Sequence, residues 1–315
     1  MGQRRKISFV IPVYNSASII SEVVERSIVT FQSLDLEVVL VDDGSKDGSA
    51  DVCRNLVDCY PGIVVFAKLS RNFGEHNAVM AGLRVASGEY VAILDDDGQN
   101  PPEEVPRMHQ ALEEKRLDVI YGRYVGRKHA GWRRLGSAMN DQMANLVLGK
   151  PKEIYLSSFK VMNRFIVDEV IKYRGPYPYI DGLIWRTSDQ IGQIDVQHDE
   201  RIAGSSGYTP RRLIRLWLTM LLGFSILPLR ISIVSGLVVA ILSVVGLTAI
   251  IIEKLWLNPE LPIGIPTMIA TTSLFAGMQL VVLGAVGEYL GRLFLSNTGT
   301  PQSIVRSVYR GAEDE

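Results

Sequence analysis

The sequence predicts an α/β domain on a mostly parallel β-sheet, followed by a C-terminal third of membrane character. Three observations carry that prediction. Short, almost continuously apolar runs alternate with longer helical patterns, as in parallel sheets covered on both faces. Polar or acidic residues follow the ends of three of those runs, where open α/β sheets bind ligands. Two long uncharged stretches lie near the C-terminus.

Taken in order, Lys6 to Val13 is a buried strand ending in Pro12-Val13-Tyr14-Asn15, and Ser16 or Ser18 caps the helix that follows. Leu36 to Val41 is the second strand, ending in Asp42-Asp43-Gly44-Ser45. Asp47 to Cys59 has helical spacing and stops at Tyr60-Pro61. Ile63 to Ala67 is a third strand, Gly74 to Ala86 a helix, and Tyr90 to Leu94 a strand that runs into Asp95, Asp96 and Asp97. Asn100, two prolines and two glutamates open the next helix. Asp118 to Tyr121 is a fifth strand; a helix begins near Tyr177, and Ile191 to Val196 is a further strand.

The triple aspartate is the centre of the reading. Three adjacent carboxylates repel unless a cation sits among them, and hard oxygen ligands suit Mg²⁺ or Mn²⁺. In an extended chain Asp95 and Asp97 share a side while Asp96 points away. Asp95-x-Asp97-x-Gln99 therefore reads as a metal and diphosphate site. With Tyr14-Asn15 and Asp42-Asp43 on the same rim, the expected ligand is a nucleotide diphosphate, and Asp42 or Asp43 can accept hydrogen bonds from base or ribose. Arg71, in Arg71-Asn72-Phe73-Gly74 before a helix, is placed to face a phosphate. The chain has neither GxGxxG nor GxxxxGK[ST], so no dinucleotide fold or P-loop is indicated.

Composition narrows the partners. The 315 residues carry a formal charge of −1, which gives no general attraction to nucleic acid. The two cysteines, Cys53 and Cys59, lie about 240° apart around a helix and cannot bridge there, so a reducing, cytosolic setting follows.

The motifs Val10-Ile-Pro-Val-Tyr-Asn15, Val41-Asp-Asp-Gly-Ser45, Leu69-Ser-Arg-Asn-Phe-Gly74 and Leu94-Asp-Asp-Asp-Gly-Gln-Asn-Pro-Pro-Glu-Glu104 resemble family-2 glycosyltransferases with the GT-A fold. More narrowly they resemble the dolichol-phosphate mannose synthase and bactoprenol glucosyltransferase group, including the aminoarabinose transferases that load undecaprenyl phosphate. The resemblance implies inverting transfer of a sugar, as a UDP-linked hexose, from a nucleotide diphosphate to a polyprenyl phosphate. It implies that Pro12, Tyr14, Asp42 and Asp43 line the nucleoside pocket, that Asp95 faces the nucleotide beside Asp96, and that Asp97 and Gln99 hold the metal. Arginines of the segment 123–134 contact the acceptor phosphate in the family, which points to Arg123 and Arg134, then Arg133. Arg201 and Ser206 fit a His-x-x-Arg-x-x-Gly-x-Ser pattern of relatives, but Gly207 stands where they carry lysine. Ser157 and Ser158 replace an acid of that family. A phosphate monoester with a second pKa near about 6 is largely dianionic at neutral pH, so no strong base is required. Tetrameric relatives suggest a homo-oligomer by analogy.

Thr209 to Leu227 sets Arg211, Arg212 and Arg215 among leucines and Trp217, as a helix at a bilayer surface does. Residues 231–252 contain no charge and span about 33 Å as a helix, enough for a hydrocarbon core of roughly 30 Å. Residues 261–287 are again uncharged, with the second span starting near Thr267 and Gly277, Gly284, Gly287 and Gly291 as a small-residue face. Arginines flank both spans on the outer sides, so both termini are expected to be cytoplasmic in a bacterial inner membrane. The expected organisation is a catalytic domain over 1–208, an interfacial helix over 209–228, two transmembrane helices over 229–295 and a tail over 296–315. The rival functions are a processive polysaccharide synthase, for which two spans give no channel, and a non-catalytic scaffold that retains the fold.

Overall fold

The computed structural model describes residues 7–31, 36–124, 154–175, 178–197, 264–297 and 301–311, with scattered positions between 229 and 256. Among these residues eight strands form one sheet, in the order β7 (Ile191–Val196), β5 (Val119–Tyr124), β6 (Lys160–Asn163), β4 (Tyr90–Ile93), β1 (Ile7–Val13), β2 (Leu36–Asp42), β3 (Val64–Leu69) and β8 (Val305–Arg310). At its centre are β1 (Ile7–Val13) and β2 (Leu36–Asp42), buried at every position and paired in parallel from Ile7↔Leu36 to Val13↔Asp42. Their apolar runs read as strands because both faces of each are covered. β3 (Val64–Leu69) and β4 (Tyr90–Ile93) add in parallel on either side.

Helices cover the sheet in two layers. On one face α1 (Ile20–Phe31), α2 (Ser49–Cys59) and α4 (Val105–Glu114) pack Val23, Val24, Leu56, Val57, Met108 and Leu112 against Phe9, Ile11, Val38 and Leu40. On the other, α3 (Glu75–Val85), α5 (Arg164–Val170) and α6 (Ile180–Thr187) pack against Val39, Val41, Val65 and Val91. The α3 contact is close: a Cβ on Gly82 would meet a Val10 methyl at 2.5 Å.

Two strands run against the rest. β6 (Lys160–Asn163) inserts between β4 and β5 (Val119–Tyr124), antiparallel to both, while β7 (Ile191–Val196) pairs in parallel with β5. β8 (Val305–Arg310) lies antiparallel on β3. Residues 305–310, inside the expected tail over 296–315, form this edge strand and complete the sheet of the domain at the other end of the chain.

Pro12 in a central strand fits its register. Val10 faces β4, since its carbonyl accepts from Leu94, so Pro12 faces the same way, beyond Val10↔Ile93 where that pairing ends. The missing N–H falls where no strand waits to receive it.

Of the two expected spans, the second is described as α7 (Ile265–Asn297), 33 residues long. Within it Phe275–Leu295 is long and apolar enough to cross a membrane, at a mean hydropathy of 1.3, and none of it is buried in the protein. It is the one such helix among the described residues. Residues 231–252 are described only at scattered helical positions, where Val234, Leu242 and Val245 are exposed. The expected interfacial helix over 209–228 lies outside the described residues.

Candidate active site

The strand ends of β1, β2 and β4 are joined into one rim by hydrogen bonds between their loops. Asn15, left-handed at φ 55°, donates its amide to Ser45 Oγ at 3.0 Å and accepts from the Lys46 amide at 2.9 Å. Asparagine tolerates that conformation through its short polar side chain. Ser16 N donates to Ser49 Oγ at 2.8 Å, and Ala17 N donates to Asp47 at 3.0 Å. Asp47 and Ser49 are thus structural parts of the rim outside the sequence motifs, beside Ser16 and Ser45.

Asp42 and Asp43 are both buried, and their partners differ. Asp43 accepts the amides of Phe73 at 2.7 Å and Gly74 at 2.9 Å, at the start of α3. The positive φ of Gly74, 94°, shapes the turn at this point. Burial still pushes the Asp43 carboxyl up, with those two amides opposing and the Asp42 and Glu75 charges adding to the rise. Asp42 spends one oxygen on the Ser45 amide at 3.1 Å, and its Oδ2 is buried without a hydrogen-bond partner. A buried carboxylate oxygen left bare costs free energy unless a ligand donates to it.

The three aspartates after β4 take different partners, and the chain turns at Asp96 and Asp97 instead of staying extended, so strand alternation does not govern them. Asp96 turns to the β1 loop, where its Oδ2 accepts the Tyr14 amide at 2.9 Å and the Ser16 hydroxyl. Asp95 accepts the Ser158 hydroxyl at 2.6 Å. Burial pushes Asp95 up to about 6; like charge from Glu75 and Asp97 adds to the rise, while Ser158 and Asn100 oppose it. Asp97 Oδ1 accepts the Gln99 amide at 3.1 Å, and Gly98, at φ 74°, turns the chain between them.

The segment read as a lost carboxylate is therefore part of the site. Ser158 supplies the hydroxyl that steadies ionised Asp95, whereas Ser157 bonds only the Gly122 and Phe159 carbonyls. Beneath them Lys160 is buried against Asp181 of α6, which also accepts the Tyr121 hydroxyl at 2.9 Å. Nothing local in the chain signals this pairing, since its members belong to different elements.

The remaining expected residues fall in three groups. Tyr14 is exposed at the mouth of the rim, Arg71 is exposed with its guanidinium 4.9 Å from the Phe73 ring, and Pro12 is buried inside β1. Arg123, at the end of β5, gives its Nε to Asp195 at 2.5 Å, which holds Asp195 below the usual carboxylate range. Arg133, Arg134, Arg201 and Ser206 lie outside the described residues. His76 packs edge-on to Tyr179 at 5.5 Å.

The donor set fits a divalent cation. It is all oxygen, and the like charge gathered at Asp95 is what a cation would relieve. Among the described residues no three His, Cys, Asp or Glu side chains form a complete metal cage. An ion of the Mg²⁺ kind takes one or two carboxylates and completes its shell with water and substrate phosphates.

The chain is similar to known proteins in sequence and in fold. The family model described as Glycosyl transferase family 2 matches residues 8–171. The undecaprenyl-phosphate 4-deoxy-4-formamido-L-arabinose transferase of Proteus mirabilis is 32% identical over 310 residues, covering 96% of this chain and 94% of that one. The same-named protein of Serratia proteamaculans is 33% identical over 307 residues, with the same coverage of 96% and 94%. Among solved structures, glucosyl-3-phosphoglycerate synthase from Mycobacterium tuberculosis, in complex with Mn²⁺, UDP-glucose and phosphoglyceric acid, superimposes with a TM-score of 0.52 at 20% identity, over 70% of this chain and 79% of that one. That likeness is one of fold. With the matched segment spanning half of the chain and every strand end of the rim, this chain belongs to glycosyl transferase family 2.

Proposed function

We propose that the protein transfers a sugar from a nucleotide diphosphate donor to undecaprenyl phosphate at a membrane surface. The observation that carries this reading is the rim itself: Asp42, Asp43, Asp95 and Asp97 gathered at the strand ends, with Asp42 Oδ2 buried and waiting for a donor. Full-length similarity to proteins named as undecaprenyl-phosphate transferases supplies the acceptor class.

On this reading the nucleobase lies over the β1 and β2 loops, where Asp42 accepts an N–H of the base and Tyr14 offers an exposed ring at the mouth. Asp43 holds the loop 71–74 in place, and Arg71 on that loop stands near the phosphates. Asp97 and Gln99 hold Mg²⁺ or Mn²⁺, which when bound offsets the charge developing on the departing diphosphate. Asp95, steadied by Ser158, faces the donor. The acceptor phosphate oxygen attacks the anomeric carbon opposite the diphosphate and inverts it; the new bond is C–O–P, and the nucleoside diphosphate leaves with the electron pair. The dianionic acceptor brings its own nucleophile, so an acid at position 157 or 158 is not needed. Arg123, Arg133, Arg134, Arg201 and Ser206 are the proposed acceptor contacts. For Arg123 this requires exchange of Asp195 for phosphate, which a half-exposed pair permits.

The apolar α7 and the uncharged stretch 231–252 form the two-span anchor, with the catalytic domain on the cytoplasmic side. The sugar carried by the relatives, 4-deoxy-4-formamido-L-arabinose, is the first donor to test.

The test is transfer of label from nucleotide sugars to undecaprenyl phosphate by the purified full-length protein in detergent with Mn²⁺ or Mg²⁺. A lipid-extractable product that requires both substrates is expected. Label released only as free sugar, or elongated into a polymer, would reject the proposal.

A further inference from the structure

The stretch that leaves the apolar helix is built into the catalytic domain. Asn297 ends α7, and by Gln302 the chain is buried again. The Gln302 side-chain Oε1 accepts from the Arg84 guanidinium of α3 at 2.5 Å. Its amide donates to the carbonyls of Tyr173 at 3.0 Å and Gly175 at 2.6 Å, after α5. Two residues on, the Ile304 carbonyl accepts the Ser70 amide at 2.9 Å, and β8 then runs down β3 from Leu69↔Val305 to Val65↔Arg310. Tyr309 stacks on Phe66 at 5.6 Å, and the Arg54 guanidinium lies 4.3 Å from the Tyr309 ring.

Ser70 is the residue at which this grip matters. It opens the segment whose Phe73 and Gly74 amides hold Asp43, and the segment lies hard against the β2 loop: a Cβ on Gly44 would come within 2.6 Å of Asn72 N. The chain after α7 therefore reaches the nucleotide end of the site through a short run of backbone. A strand whose only work was to cover the β3 edge would not need a buried amide with three partners, because a buried amide costs free energy unless it is fully paired.

We propose that Gln302 and β8 form a strap that positions the Ser70–Gly74 loop, and with it donor binding, from the end of the apolar helix. Gln302 is a positioning residue in this scheme. The inference rests on the reading of the rim as a nucleotide site, and it names a control on that site that the strand-end motifs do not contain. The loop touches the donor end, so the strap acts on donor affinity and leaves the acceptor and the chemical step alone.

The test uses the full-length protein in detergent, comparing wild type with Gln302→Ala and Gln302→Glu. The glutamate keeps the acceptor for Arg84 and loses the donors to Tyr173 and Gly175. Hydrogen exchange in segment 70–74 is expected to quicken in both variants while 7–13 and 36–42 stay protected. The donor KM and the UDP dissociation constant are expected to rise about tenfold in Gln302→Ala and less in Gln302→Glu, with kcat at saturating donor within about twofold of wild type. Unchanged exchange at 70–74 together with an unchanged donor KM overturns the strap. So does exchange that rises equally across β1 and β2, which marks a purely structural role. A wild-type protein that binds no nucleoside diphosphate refutes the nucleotide reading instead, and the exchange of 70–74, measured without ligand, then still decides whether the strap holds the loop.

Discussion

Asp42, fully buried, and Asp95, partly buried, are carboxylates of different character. Asp42 keeps one oxygen bare, so Asp42→Ala should weaken UDP binding by about tenfold to a hundredfold, the worth of a charge-assisted hydrogen bond, as titration calorimetry would show. Asp95 is raised to about 6, above its value in an unfolded chain. The native state therefore holds the extra proton between roughly pH 4 and pH 6, and stability falls as pH rises through that window. In metal-free protein, Asp95→Asn should raise the melting temperature by a few degrees at neutral pH, with the gain vanishing near pH 4; an equal gain at both pH values would contradict the burial cost. Ser158 favours the ionised form, so Ser158→Ala should move the acid limb of the rate profile up by about 0.5 to 1 pH unit. The aspartates were legible in the sequence because adjacent acids after an apolar run need an explanation. Ser158 was not, since a serine's meaning comes from what the fold places opposite it.

Elements were legible where one local signal decided them. The unbroken runs of β1 and β2, and the helical spacings between them, are set by burial on two faces and survive in the sequence as composition. β6 and β8 are short, and their direction depends on strands far away in the chain, so no local pattern announces them. The buried Lys160–Asp181 pair, which ties β6 to α6, is of the same kind. Lys160→Met should cost about 3–5 kcal/mol in chemical denaturation, because it strands the Asp181 charge. Lys160→Met combined with Asp181→Leu should recover much of that loss, apart from the orphaned Tyr121 hydroxyl. A double variant no better than the single one would mean that β6 is held by other contacts.

At the scale of the whole molecule, the apolar character of α7 was plain in the sequence, but its connection to the sheet was hidden until β8 was seen on β3. Leu280, Leu283, Leu290 and Phe294 are all largely exposed, a surface that needs lipid or another apolar cover. Leu283→Asp places a charge near the middle of Phe275–Leu295, at a cost of roughly 2.5–3.5 kcal/mol, and should lower the fraction retained in membranes after alkaline washing. The catalytic half works as proposed only if the rim binds a nucleoside diphosphate together with a divalent ion. Calorimetric titration of UDP into wild type and Asp97→Ala, each with Mn²⁺ and with chelator, tests it directly. Binding to wild type only with Mn²⁺, and at least about tenfold weaker binding to Asp97→Ala, is expected. Equal, metal-independent affinity in both proteins would contradict it.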